Sequence, residues 1–166
     1  LHAYLNPAHE EQIATIIEKS LPDVALSLSS DVSPALGEFE RTSTTVANAY
    51  VHPIFRNYVE NFRNALNTLG YEKDLLLVLS DGRSVRTDVA KRYPIRLIQS
   101  GPAAGAEAAR LFGELAGVDD MLCFDMGGTT AKACLIPKGK PERTVNFEVA
   151  RETRFAEGSG LPLQIP

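Results

Sequence analysis

The run Asp125-Met126-Gly127-Gly128-Thr129-Thr130 combines the residue types that hold phosphate and metal together. It lies between two apolar segments, Met121 to Phe124 and Ala131 to Ile136, and each reads as a strand, the first as a buried one. Paired glycines between strands form a tight turn whose bare N–H groups can face an anion. Thr129 and Thr130 add hydroxyl donors. Asp125 leaves a carboxylate at the strand end, suited to magnesium through its water shell. The same residues also suit an ordinary hairpin, because Asp followed by Gly-Gly is common turn chemistry.

The segment before the turn favours the phosphate reading. Ser100-Gly101-Pro102-Ala103-Ala104-Gly105 opens a predicted helix that runs to about Leu115, with Pro in its first turn and Gly117 as its stop. Small side chains along it permit close approach to a sheet or a ligand. Gly101 therefore joins Gly127, Gly128, Thr129 and Thr130 as a candidate cofactor-binding residue, with Asp125 as the candidate metal ligand.

A second polar cluster is Glu40-Arg41-Thr42-Ser43-Thr44-Thr45. Two readings stand side by side. It is a capping cluster, in which hydroxyls satisfy free helical N–H groups. Or it is a wall of an active site, with Arg41 and Thr42 as catalytic candidates and Arg41 holding a substrate carboxylate or phosphate. His2, His9 and His52 read as surface or helix-end residues, and no Ser-His-Asp or Cys-His spacing is present. Cys123 and Cys134 each sit in an apolar strand context, so buried, reduced thiols that react slowly are expected.

The elements that must position these groups follow from periodicity. Asn6 as N-cap and Pro7 open a helix to about Ser20. Val24 to Leu28 alternates as a strand, and Ser29 to Pro34 reads as a polar loop. A long helix is predicted from about Ser43 to Leu69, with Phe55, Tyr58, Val59, Phe62, Ala65, Leu66 and Leu69 as its core stripe and Pro53 kinking or dividing it. Leu75 to Leu79 reads as a strand buried on both faces. A short helix over Ser84 to Arg92 and a strand over Ile95 to Ile98 follow. Ala131 to Ile136 and Thr144 to Val149 read as a hairpin meander, and the tail as extended and polar. Alternating helices and strands followed by hairpins make a mixed α/β pattern.

Composition bounds the function classes. The 166 residues are 44% hydrophobic, enough for a core, and the net charge is −4. Basic residues are scattered, which argues against a nucleic-acid partner. No apolar run approaches the roughly 20 residues that span a bilayer, so no membrane partner is expected. Few cysteines and no secretory signal point to the cytoplasm.

The segments Ser100 to Gly105, Phe124 to Thr130 and Phe39-Glu40-Arg41-Thr42-Ser43-Thr44-Thr45-Val46-Ala47-Asn48-Ala49-Tyr50 together resemble the hydantoinase A / 5-oxoprolinase family. Asn6-Pro7-Ala8-His9-Glu10 and Val24 to Ser30 resemble it too, in the same order along the chain. The resemblance implies an actin/hexokinase/heat-shock-type ATPase fold with the nucleotide between two halves. Residues 1–94 would finish the first half, and residues 95–166 would start the second with the Asp125 turn as its phosphate loop. It further implies ATP and magnesium as cofactors, a hydantoin or oxoproline ring as substrate, and a second, hydantoinase B-like subunit or a homo-oligomer. An acetone-type carboxylase subunit is the alternative within the family. A non-catalytic subunit-contact module built on the long helix is the alternative outside enzymes. Family members are several times longer and carry an earlier phosphate loop, so an internal fragment is expected. Thr130-Ala131-Lys132 stands where many relatives have Ser-Thr-Asp, which leaves metal binding to Asp125.

Overall fold

The computed structural model describes residues 2–153 and 156–165. The chain forms two compact units, one of Leu1–Glu72, Lys91–Ile95 and Val145–Pro166, the other of Lys73–Ala90 and Arg96–Thr144. Helices and two-stranded antiparallel sheets alternate, a mixed α/β architecture. Among the described residues no helix is long and apolar enough to cross a membrane.

The first unit is built on three helices. Helix α1 spans Ala8–Ser20, and the Asn6 side chain accepts the Ala8 N–H at 3.1 Å, the expected cap. Helix α2 is the short Ser29–Val32, where a loop was expected. Its first turn is capped from a distance: the Glu10 carboxylate accepts the Ser30 N–H and hydroxyl at 2.9 Å each and the Ser29 hydroxyl at 2.5 Å. Helix α3 runs Glu38–Thr68, starting one turn before the expected position, and Pro53 does not divide it. Of its predicted core stripe only Val59 is buried; Tyr58, Phe62 and Leu69 are exposed.

The core of this unit lies instead along the N-terminal part of α3, with Val59 further along the helix. Val32, Val59, Ile95 and Leu163 are buried there with Ser33, Ser43, Thr44 and Asn48. The strand expected over Val24 to Leu28 does not form. Ser27 Oγ there accepts the Asn48 amide at 3.0 Å, and among the described residues no strand pairs with the segment. The strand expected over Ile95 to Ile98 is a 3₁₀ turn, Pro94–Leu97. Pro94 has no N–H for a ladder, and the Ile95 N–H donates to Asn48 Oδ1 at 3.2 Å.

The second unit begins with strands β1 (Leu76–Val78) and β2 (Ser84–Arg86), paired antiparallel; the short helix α4 (Thr87–Arg92) follows β2. Leu76 is exposed, so β1 is not the doubly buried strand expected, and β2 occupies the start of the expected helix. Helix α5 covers Ser100–Ala116 and ends at Gly117 in the left-handed region, as its stop signal requires. Strands β3 (Met121–Met126) and β4 (Ala131–Ile136) form a hairpin against α5. Gly113 permits this approach: a Cβ there would lie 2.0 Å from Met121 Sδ. With α5 on one face, the other face stays open, so Leu122, Phe124, Met126 and Leu135 are exposed rather than buried.

Strand β5 (Asn146–Val149) does not extend the hairpin into a meander. It pairs with β6 (Leu161–Gln164), formed by the tail that reads as extended and polar. Leu163 of β6 is buried, and the strand lies against α3. In Asn48→Ala the Ile95 N–H would be left buried without its acceptor, a loss of about 2 kcal/mol. A urea titration should show the midpoint of Asn48→Ala lowered accordingly; an unmoved midpoint would remove Asn48 from the account of this unit.

Candidate phosphate and metal site

The hairpin sets out the Asp125 run in the expected order. Asp125 faces Lys132 and Met126 faces Ala131 across the ladder. The Gly127 N–H donates to the Thr130 carbonyl at 2.9 Å and closes the pairing. Gly127, Gly128, Thr129 and Thr130 are all exposed. Neither glycine of the turn has positive φ, so glycine is not required for backbone shape. A Cβ at either would meet nothing within 4 Å. What glycine contributes is bare backbone facing open space, where a phosphate can approach the Gly128 N–H; the Gly127 N–H is taken up by the Thr130 carbonyl.

The structure brings this turn to the start of α5. Lys132 Nζ donates to Gln99 Oε1 at 2.8 Å, and Gln99 is the residue from which α5 springs, in a left-handed conformation. Gly101 is exposed just beyond it, also with open space where a Cβ would stand. The 17-residue helix has no acidic residue in its first turn, so the partial positive charge of its free N–H groups is not neutralised locally. A Gly-Gly turn, two hydroxyls and a helix N-terminus thus share one end of the hairpin layer, an arrangement with the chemistry of phosphate binding.

Asp125 is exposed at the same end. Among the described residues no group of three or more His, Cys, Asp or Glu could hold a metal. A single exposed carboxylate is the kind of ligand magnesium takes when waters and phosphates fill the rest of its shell. Lys132 is tied to Gln99. Sequence patterns offer no signal for that bond, nor for the left-handed Gln99.

The Glu40 to Thr45 cluster lies in the first unit and serves its packing. The hydroxyl of Ser43 donates to the Pro162 carbonyl, and Thr44 Oγ1 accepts the Gln164 N–H at 2.9 Å. Ser33 Oγ donates to the Gln164 carbonyl at 3.1 Å. These hydroxyls hold the strand β6 to the helix. Arg41 is 5% exposed, donates to the Ala35 carbonyl at 3.2 Å and lies over the Tyr4 ring. Thr42 is exposed. Burial opposes ionisation of Glu10, but the bonds from Ser29 and Ser30, with the Arg41 charge, outweigh it and hold the carboxyl below its ordinary range. His52 is half-buried within α3, and burial, then Arg56, lower its pKa. The two thiols depart from expectation in being half-exposed; burial, then neighbouring Cys123, push the Cys134 thiol up.

The hydantoinase/oxoprolinase family model matches residues 41–166. The chain belongs to this family. It is similar to an uncharacterized protein of Methanocaldococcus jannaschii, 39% identical over all of this chain and 25% of that protein. It is 32% identical to caprolactamase subunit alpha of Pseudomonas jessenii over 81% of this chain and 19% of the subunit. A nucleotide-free structure of acetone carboxylase, from work on ATP-dependent acetone carboxylation, matches with a TM-score of 0.74 and 28% identity, over all of this chain and 22% of its own. The chain thus spans a quarter or less of these relatives' lengths.

Two outcomes follow from the geometry. Gly127→Ala should leave melting unchanged, because neither φ nor space demands glycine there, yet weaken any phosphate ligand of the turn. A lowered melting temperature for that variant would contradict the open turn. Glu10 contributes stability that is present above its unfolded pKa of about 4.3 and is lost as pH falls through its lower folded value. In acid titrations followed by circular dichroism, Glu10→Gln should lose less stability below about pH 4.3 than the parent. Equal acid slopes would remove Glu10 as a source of that dependence.

Proposed function

We propose that these residues are part of an ATP-dependent cyclic-amide hydrolase that opens a hydantoin or oxoproline ring. One observation supports this most: the Lys132–Gln99 bond that ties the strand leaving the Gly-Gly turn to the residue before α5. In this reading the Gly128 amide faces phosphate across the open, side-chain-free backbone of Gly127, whose own N–H is held by the Thr130 carbonyl; Thr129, Thr130 and the Gly101 end of α5 add donors, and Asp125 positions magnesium. Bound magnesium-ATP would supply a phosphoryl group that activates the cyclic amide oxygen toward water. The chain's part is positioning and charge stabilisation, which carry most of phosphoryl-transfer catalysis. Thr42, exposed on α3, and Arg41, through its buried guanidinium, are the candidates for holding the substrate.

The fold proposed around the site is the actin/hexokinase/heat-shock-type ATPase fold, with residues 1–94 in its first half and 95–166 beginning its second. The short span of the relatives covered supports reading the chain as a fragment of such an enzyme. The match to a protein described as subunit alpha supports a second, hydantoinase B-like subunit, with a homo-oligomer as the other arrangement. The cytoplasm, which holds ATP and keeps thiols reduced, is the compartment this chemistry asks for. An acetone-type carboxylase subunit is the second reading, favoured by the structural match to acetone carboxylase.

The deciding experiment measures ATP turnover by the enzyme containing these residues with hydantoins, 5-oxoproline, lactams and ketones. Ring-opened product with stoichiometric phosphate release is expected. Turnover with ketone and bicarbonate alone would establish the carboxylase reading instead. Asp125→Asn should abolish magnesium-dependent turnover with melting intact, as the side chain is exposed; near-parental activity would take the metal role from Asp125.

A further inference from the structure

Cys123 and Cys134 are direct partners in the β3–β4 ladder. Their side chains leave the same face of the hairpin, since opposed residues of an antiparallel pair share a face. Both thiols are free and half-exposed, so a small reagent can reach them. The Gly127 N–H to Thr130 carbonyl bond fixes which pairs exchange ladder bonds. Counting back by twos from that pair, 125–132 and 123–134 are hydrogen-bonded pairs, whose Cα atoms stand about 5.5 Å apart. That separation lies inside the range a disulfide spans.

We infer that Cys123 and Cys134 form a reversible dithiol–disulfide couple across the hairpin, oxidised by small-molecule disulfides. The exchange balances. One protein thiolate attacks a sulfur of the reagent, the reagent's S–S bond breaks, and a mixed disulfide forms as the first small thiol leaves. The second cysteine then attacks the protein-side sulfur of that mixed disulfide and releases the second small thiol. Two protein thiols lose two electrons in total, the reagent disulfide gains them, and the two thiol protons pass to the departing thiolates.

Reversibility has its own cause. Side chains of a hydrogen-bonded pair stand farther apart than those of the alternate pairs, with Cβ atoms near 5.5 Å. A relaxed disulfide prefers a Cβ separation of about 3.8 Å. The bond would draw the strands together at this point, and a strained disulfide is easily reduced. The couple sits one same-face position from the Asp125–Lys132 pair, so its oxidation would tighten the hairpin next to the Gly-Gly turn. The inference rests on ladder register and exposure alone and stands whatever the turn binds.

The test equilibrates the chain in buffers of reduced and oxidised glutathione, quenches with an alkylating agent and reads intact mass. Both thiols should disappear together, with a monomer lighter by two hydrogens. The transition should lie within the range of glutathione ratios and reverse on adding reduced glutathione. Cys123→Ser and Cys134→Ser should each give only a single glutathione adduct. Circular dichroism of the parent before and after oxidation should show the fold retained. The proposal fails if both thiols stay alkylatable in fully oxidised glutathione, if the parent carries only mixed adducts or intermolecular dimers, or if closure requires unfolding.

Discussion

Every sheet among the described residues has two strands, so every strand has one edge with no strand beside it. Backbone N–H and C=O groups on such an edge must reach water or another partner. Much of the structure is explained by how these edges are met. On β6 the open edge lies against α3, and side-chain hydroxyls stand in for a third strand: Ser43 donates to one carbonyl, Ser33 to another, and Thr44 receives an N–H. These groups are buried, so each bond removes a desolvation cost that an apolar residue of similar size would leave in place. Ser43 and Thr44 of the polar cluster, with Ser33, thus hold a strand to a helix.

In the second unit the hairpin meets the same constraint with packing on one face. Helix α5 packs on the side that carries Met121 and Ile136, where Ile136 is fully buried, while Cys123 and Cys134 on that side stay half-exposed. The absence of a side chain at Gly113 lets Met121 fill the space beneath the helix. The other face, with Leu122, Phe124, Met126 and Leu135, is apolar and exposed. One helix can dry only one face of a two-stranded sheet, which is why an apolar strand pattern did not translate into a strand buried on both sides.

The candidate site depends on the packing of the hairpin against α5. Its Gly-Gly turn hangs at the end of the hairpin, and its helix terminus belongs to the element packed on that hairpin. The Lys132 to Gln99 bond joins the strand leaving the turn to the residue before the helix. A helix N-terminus held beside a glycine turn is the kind of arrangement that the proposed anion site requires.

Sequence alone determined the features whose causes are local. The N-cap at Asn6, the Gly-Pro start and Gly117 stop of α5, and the Gly-Gly hairpin all follow from turn and cap chemistry over a few neighbouring residues. The types that make the turn a phosphate candidate were equally legible. Tertiary structure decided everything whose partner is far along the chain. Glu10 caps α2 from 20 residues away, and Thr44 and Ser33 meet Gln164 across 120 and 131 residues. Asn48 converts a predicted strand to a 3₁₀ turn from 47 residues away. Periodicity shows which face of α3 is apolar but not which part of it finds a neighbour, so the expected core stripe lies largely exposed while polar Thr44 and Asn48 are fully buried. Local propensity is written in adjacent residues; burial and hydrogen-bond partnership are properties of the folded chain, because only closure of these long loops brings the partners together.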